Sequence, residues 1–278
     1  MDLEKFFDRV NHDVLMSRLE KRIGDSRLLR VIRRYLEAGV MADGVVVERY
    51  EGTPQGGPLS PPLANVLLDE VDQALERSGH TFVRYADDCN VYVRSKRAGE
   101  RLMEHLRELY ARLRLRVNED RSAVARAWDR KFLGYSFWVA PGRQVKRRVA
   151  PKALDGFKER IRQITSRNGG RSLPKVVEEL RTYLLGWKAY FRLADTPGVF
   201  RDLDQWIARR LRMVQLKQWK NPPTVFRELR RRGVPERIAR AAAAWGRRWW
   251  GHSKHGALNT ALPGKLFEQM DLVRFAPY

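Results

Sequence analysis

The sequence predicts an α+β domain, a small antiparallel sheet backed by helices, followed by an all-α helical domain and a short basic tail. Three observations carry that prediction. Thr81 to Arg94, TFVRYADDCNVYVR, reads as two apolar strands joined at a bend that holds adjacent carboxylates, Asp87 and Asp88. Helical periodicity surrounds this hairpin on both sides, an order typical of sheets backed by helices. Beyond residue 140 the periodicity is helical throughout, and the charge changes with it. Residues 1–140 hold 24 Lys/Arg against 22 Asp/Glu and residues 141–278 hold 31 against 11, in a chain of 278 residues and net charge +22. So basic a half is a surface for polyanions, and arginine suits bidentate phosphate contacts.

Taken in order, Asn11 is placed to cap a helix running to Arg22, with Leu15, Leu19 and Ile23 on one face. His12 and Asp13 at its start read as structural, because an acid in the first turn favours the helix dipole. A second helix covers Ser26 to Ala38. Asp43-Gly44 reads as a turn into a β-rich run, Val45 to Tyr50. Thr53 to Pro62, TPQGGPLSPP, sets paired glycines between prolines, a fixed loop that a ligand can approach closely. It leads into a helix reaching Arg77, with Ala64, Leu67, Leu68, Val71 and Leu75 as the buried stripe. In the hairpin, Val83 and Tyr85 share one side of the first strand, and Val91 and Val93 one side of the second. Two like charges at the mouth of a sheet need a cation to offset their repulsion, and Mg²⁺, which prefers oxygen ligands, is the natural one. A helix from Lys96 to Leu113 follows, then short strands at Leu115–Val117, Ala123–Ala127 and Phe132–Val139. This is the palm layout of nucleotide polymerases, and nucleotide cyclases share its βαββαβ core.

The predicted domains are 1–140, a linker at 141–151, 152–232 and 233–278. The linker joins Pro and Gly to the basic run Lys146-Arg147-Arg148. Helices then begin at Leu154, at Leu173 and after Thr196-Pro197, and Asn221-Pro222-Pro223 ends the third. Candidate nucleic-acid contacts are Lys146, Arg147, Arg148, Arg209, Arg210, Arg212, Lys217, Lys220, Arg230, Arg231, Arg232, Arg247, Arg248 and Trp249. Arginines seat phosphates, and the interleaved Trp245, Trp249 and Trp250 can stack on unpaired bases, with one or more of the three expected in the core. The single cysteine, Cys89, excludes a disulfide framework and a thiolate metal cluster, which fits a reducing cytoplasm. No apolar run approaches the roughly 20 residues that span a bilayer, so no membrane partner is expected.

The opening DLEKFFD, the run TPQGGPLSPPLANVLLDEVD and the FVRYADD hairpin, taken in series, resemble the reverse transcriptase encoded by bacterial group II introns. Leu115 to Ser122 and Lys131 to Phe137 are similar to that family's next two blocks. Lys152 to Arg232, with LLGWKAYF at Leu184–Phe191, is similar to its maturase-specific thumb, domain X. The tail from Arg237 resembles a short DNA-binding segment, with no HNH endonuclease pattern after it.

The resemblance implies a polymerase palm in which Asp2, Asp87 and Asp88 are catalytic and hold two Mg²⁺ ions. It also implies nucleotide contacts from Leu3, Phe6, Phe7, Gln55, Gly56, Gly57, Tyr85, Ala86 and Arg121. Phe6 or Phe7 would lie under the incoming sugar, and Arg121 stands where the family pattern has lysine. The implied partners are group II intron RNA, a DNA target and primer, and deoxynucleoside triphosphates; oligomeric state is not legible. The family carries finger blocks before the first aspartate, so the chain reads as a fragment, a mis-set start or a decayed copy, with Asp2 lacking an anchored strand and polymerase activity weak or absent alone. The alternatives are a non-enzymatic RNA-binding maturase whose palm is a scaffold, and a diguanylate-cyclase-like enzyme, which would not require so basic a helical half.

Overall fold

The computed structural model describes residues 1–278 except 39, 43–44, 48–49, 55–56, 245–247 and 277–278, and gives the backbone alone for 40–42 and 45–47. The chain divides into two compact units, Met1–Ala127 and Trp128–Tyr278, each with its own apolar core.

In the first unit α1 (His12–Glu20) and α2 (Ser26–Glu37) precede a hairpin of β1 (Val40–Ala42) and β2 (Val45–Val47). The long helix α3 (Ser60–Arg77), the hairpin β3 (Thr81–Tyr85) and β4 (Asp88–Tyr92), and α4 (Lys96–Arg112) follow. Side chains of Asn11, Asp25 and Ser95 accept first-turn N–H bonds and so fix three of the helix starts. Leu15, Leu36, Leu67, Leu68 and Leu75 are almost wholly buried in one cluster, a contribution of about 2 kcal/mol each. His12 is buried, with Nε2 2.7 Å from the Gly52 carbonyl, and Asp13 pairs with Arg33 at 2.7 Å. Both are structural, as their place in the first helical turn implied.

The expected sheet forms, in short pieces. β3 and β4 pair antiparallel from Thr81↔Tyr92 to Tyr85↔Asp88. On the other side of β4 lies the start of the chain: Met1 donates to the Cys89 carbonyl at 2.6 Å and the Cys89 N–H returns a bond at 2.9 Å. Leu3 bridges Val117 antiparallel, with Glu4 N–H donating to the Arg116 carbonyl and Asn118 N–H to the Asp2 carbonyl, both at 2.9 Å. Of the predicted strand Leu115–Val117 only this isolated bridge at Val117 forms, and Ala123–Ala127 is not a strand. There Val124 packs against α4 at Gly99, where an added Cβ would fall 2.6 Å from the valine methyl. That side-chain contact takes the place of a ladder.

The second unit opens with a three-stranded antiparallel sheet, β5 (Lys131–Phe132), β6 (Tyr135–Val139) and β7 (Val145–Val149), in that order. Leu133 and Gly134 turn the first hairpin with φ of 49° and 77°, both left-handed as a tight two-residue turn requires. The segment expected as a linker, 141–151, instead forms a 3-10 turn at Pro141–Arg143 and then β7. Valines at both ends of VKRRV and a free edge on β6 make a strand of it, and the basic run is set on a ladder.

Helices α5 (Pro151–Ile164), α6 (Leu173–Tyr190), α7 (Pro197–Trp219) and α8 (Pro222–Arg231) follow, then α9 (Glu236–Ala243), α10 (Trp249–His252), α11 (Gly256–Ala261) and α12 (Gly264–Glu268). Phe157, Leu180, Leu184, Ile207, Leu211 and Leu229 lie in their common core. The expected tail, 233–278, is no appendage: Ala239, Ala242, Leu258 and Phe267 are fully buried in the same cluster. Small alanines let α9 approach closely, and Asp204 of α7 accepts the N–H groups of Phe275 and Ala276 at 3.0 Å each. Among the described residues no helix is long and apolar enough to cross a membrane.

Candidate active site

Hairpin β3–β4 turns on just two residues, Ala86 and Asp87, because Tyr85 and Asp88 are paired. Ala86 has φ of 52°, a left-handed conformation that costs a non-glycine residue roughly 1 kcal/mol. Strain of this kind persists where the surroundings over-determine the backbone, and here the determinant is Arg84. Its guanidinium donates to Asp72 of α3 at 2.8 and 3.0 Å, to Asn65 Oδ1 at 3.0 Å and to the Ala86 carbonyl at 3.0 Å. The side chains of Arg84 and Asp72 are only 11% and 20% exposed, so the clamp is largely shielded from water. Sequence reasoning missed it. Its signal was available: an arginine at an inward position of an apolar strand, with acids on the preceding helix.

The reciprocal bonds between Met1 and Cys89 set the register of the opening residues against β4, which brings Asp2 opposite Asp88. Residues directly opposite in an antiparallel pair have Cβ atoms roughly 5 Å apart. Burial raises the Asp87 carboxyl above its ordinary range, and the negative charge of Asp2 raises it further, while Arg121 acts against both. Arg121 Nη1 lies 3.4 Å from Asp2 Oδ2. Asp2 is thus near enough to Asp87 for its charge to act there, but among the described residues no group of three His, Cys, Asp or Glu side chains is placed to hold a metal ion; the expectation that Asp2 lacks an anchored strand is corrected. Its N–H donates to Ser122 Oγ at 3.0 Å and its carbonyl accepts from Asn118. Ser122 is a second partner the sequence reading did not single out.

Among the other predicted contacts, Leu3 and Phe6 are core residues, 3% and 2% exposed. Phe7 is half-buried and meets the Phe6 ring edge-on, with centroids 5.1 Å apart. Thr53 N–H donates to the Phe7 carbonyl at 2.7 Å, so Phe7 stands where the glycine-rich loop begins. A Cβ on Gly57 would lie 2.1 Å from the Tyr35 hydroxyl oxygen, so any larger residue there must displace the tyrosine. Gln55, Gly56 and Arg247 lie outside the described residues. Tyr85 is 64% exposed, on the face of the hairpin it shares with Asp88. Cys89 is buried beneath, its thiol pushed up to about 11 by burial, which suits packing and not reactivity.

Residues 1–137 match the model of the reverse transcriptase (RNA-dependent DNA polymerase) family, and residues 154–233 match that of the group II intron maturase-specific domain. This chain belongs to the group II intron reverse transcriptases. It is 30% identical to Protein YkfC of Escherichia coli (strain K12) over 46% of this chain and 43% of that protein. The Group II intron-encoded protein LtrA of Lactococcus lactis subsp. cremoris is 38% identical over 26% of this chain and 12% of its own length. An uncharacterized 91 kDa protein in the cob intron of Schizosaccharomyces pombe is 32% identical over 44% and 14% respectively. The chain spans less than half the length of these relatives. The reverse-transcriptase match contains Asp2, Asp87, Asp88 and Arg121, and ends within β6.

The basic residues of the maturase unit divide into two kinds. Arg209, Arg210 and Arg212 are half-buried and use their donors inside the fold. Arg209 lies 3.7 Å from the centre of the Trp250 ring and donates to the Trp250 carbonyl at 3.0 Å, and Arg212 donates to the Leu262 carbonyl at 2.9 Å. Burial holds Arg210 and Arg212 below the usual guanidinium range. By contrast Lys217, Lys220, Arg231 and Arg248 are exposed, as is Arg230, which donates to the Val234 carbonyl at 3.0 Å. Arg147 is exposed too but pairs with Asp195 at 3.1 Å, Arg148 donates to Ser136 at 3.1 Å, and Lys146 lies 5.9 Å from the centre of the Trp138 ring. Arg232 is bonded to Glu228 and lies 5.2 Å from the centre of the Trp219 ring. Trp249 and Trp250 are both half-buried against the core.

Proposed function

We propose that this chain carries the palm and the maturase domain of an RNA-directed DNA polymerase of group II intron type. Its palm, residues 1–140, would extend a DNA primer on an RNA template, and its thumb, residues 152–232, would hold intron RNA, both in a cytoplasmic setting. The observation that carries this reading is that the Asp2 segment is tied by backbone bonds to β4 on one side and to Arg116 and Asn118 on the other, near enough to Asp87 for its charge to act there.

The residue types suit Mg²⁺, although among the described residues their side chains do not form a three-ligand group. Carboxylate oxygens are hard ligands suited to a divalent cation, and Mg²⁺ is commonly held by one or two carboxylates together with substrate phosphates. When bound, such ions supply charge neutralisation at the primer hydroxyl and at the departing pyrophosphate. The chain's own residues supply position. Arg84 fixes the turn that carries Asp87, Ser122 and Asn118 fix Asp2, and Arg121 offers a guanidinium beside Asp2 to meet a phosphate. Phe7, the more accessible of the two adjacent phenylalanines, is proposed to lie under the deoxyribose with Gly57 and its neighbours across from it. Phosphate contacts from the maturase unit are proposed for its exposed residues, Lys217, Lys220, Arg230, Arg231 and Arg248, and for the strand carrying Lys146 to Arg148.

Primer extension on an RNA template with Mg²⁺ and deoxynucleoside triphosphates tests the palm, with Asp87→Ala as the comparison. Loss of extension by at least about a hundredfold is expected, the scale of removing a group that acts on charge in the transition state. Extension that survives the substitution overturns the catalytic assignment. The pairing of Arg121 with Asp2, a cation standing where a metal would be needed, favours the second reading, a maturase whose palm is a scaffold. Under that reading the unsubstituted chain binds RNA and extends nothing.

A further inference from the structure

Within the second unit a cavity of about 440 Å³ opens between the end of α5, the loop after it, α7 and α10, a size in the range of small-ligand sites. Arg162, Arg167, Arg210, Trp206, Trp250 and Asn168 line it. Arg210 is fixed in place: its Nε donates to Thr165 Oγ1 at 2.8 Å and its Nη2 to the Arg162 carbonyl at 3.2 Å. The Thr165 hydroxyl in turn donates to the Ile161 carbonyl at 2.6 Å. Neither Arg167 nor Arg210 pairs with a carboxylate among the described residues, and Arg162 pairs with Glu159 at 3.1 Å, on its own helix. Arg210 is held below the usual guanidinium range first by burial and then by Arg162 and Arg167, with Glu159 acting the other way. Three guanidiniums brought together with one exposed acid between them favour an anion as the missing partner.

The aromatic half of the cavity is equally ordered. The guanidiniums of Arg162 and Arg210 each lie 5.9 Å from the centre of the Trp206 ring, and Arg209 lies 3.7 Å from that of Trp250. These cation–π contacts keep two indoles beside the arginine cluster. A planar base and its phosphate need that combination, and a base held inside a duplex cannot reach such a cavity.

We propose that this cavity receives one unpaired nucleotide of a bound RNA, with its base against Trp206 and Trp250 and its phosphate on Arg162, Arg167 and Arg210. Asn168 brings an amide that both donates and accepts at the base edge. The inference rests on RNA binding by this unit and names the RNA feature that it selects.

Fluorescence anisotropy on the full chain tests it with three labelled RNAs: a paired duplex, the same duplex with a single-adenosine bulge, and one whose bulge is abasic. The bulged RNA is expected to bind about tenfold more tightly than the other two, the order of one stacked base. Arg167→Glu, at an exposed position, removes that preference, as does Trp206→Leu, while the same charge change at Arg181, which does not line the cavity, keeps it. Equal affinity for all three RNAs, or a preference that survives Arg167→Glu, overturns the proposal. Free AMP binding as tightly as the bulged RNA assigns the cavity to a mononucleotide and overturns the RNA assignment. Binding of none of the RNAs removes the proposed function of the unit together with the inference.

Discussion

Residue by residue, the site depends on side chains that do no chemistry. Arg84 is the clearest case, since it ties the strained turn at Ala86 to α3 through Asp72. Arg84→Ala leaves a largely shielded carboxylate and a carbonyl without their donor. A loss of about 2 to 3 kcal/mol is expected, the scale of hydrogen bonds to charged groups, and the midpoint of urea unfolding measures it. Arg84→Lys is expected to recover little, because an ammonium cannot reach Asp72, Asn65 and the Ala86 carbonyl at once. The two phenylalanines separate in the same way. Phe6 is 2% exposed, so Phe6→Ala costs about 3 to 5 kcal/mol in the core. Phe7→Ala is expected to cost less stability and, under the proposed role of Phe7, to raise ribonucleotide incorporation in primer extension above that of the unsubstituted chain. The sequence left the pair undecided because both rings are equally apolar; only the chain's path between Leu3 and Val10 sends one inward.

Among the elements, the periodicity of the sequence located α1 to α4 and the first three helices of the second unit, α5 to α7, well, since each buries a single stripe. It was weakest where strands are short. Ala123–Ala127 has strand-like composition but finds its apolar contact on α4 at Gly99, and β7 has a basic composition yet completes a ladder with β6. A strand needs a partner edge, which is a tertiary fact and not a local one. The last elements were misread for a related reason: their arginines and tryptophans stand out, whereas the alanines that seat α9 do not. Because Leu258 and Phe267 are fully buried, removing residues 236–278 is expected to open the maturase core. A fall in the thermal midpoint of more than about 10 °C is expected, a loss of several kcal/mol at this size, followed by light scattering as the exposed core associates. An unchanged midpoint would show the tail to be dispensable.

At the scale of the molecule, charge is segregated along the chain, and the surplus lies almost wholly after residue 140. Contacts of that kind release counterions, so affinity for structured RNA is expected to fall by about 10³ or more between 50 and 200 mM salt. Filter binding across that range measures it, and a flat profile would remove the phosphate-dominated grip. Net charge, the long helices from α1 to α7, the acidic hairpin and the resemblance to intron reverse transcriptases were all settled by the sequence itself, because they are local patterns or sums. What tertiary structure alone decided is how those parts meet. Backbone pairing with Cys89 and Asn118 holds Asp2 opposite Asp88, Arg84 reaches back to α3 to hold the turn, and α5, α7 and α10 gather three arginines and two tryptophans around one cavity. Each of these joins residues far apart in the chain, and no window of sequence contains the closure that brings them together.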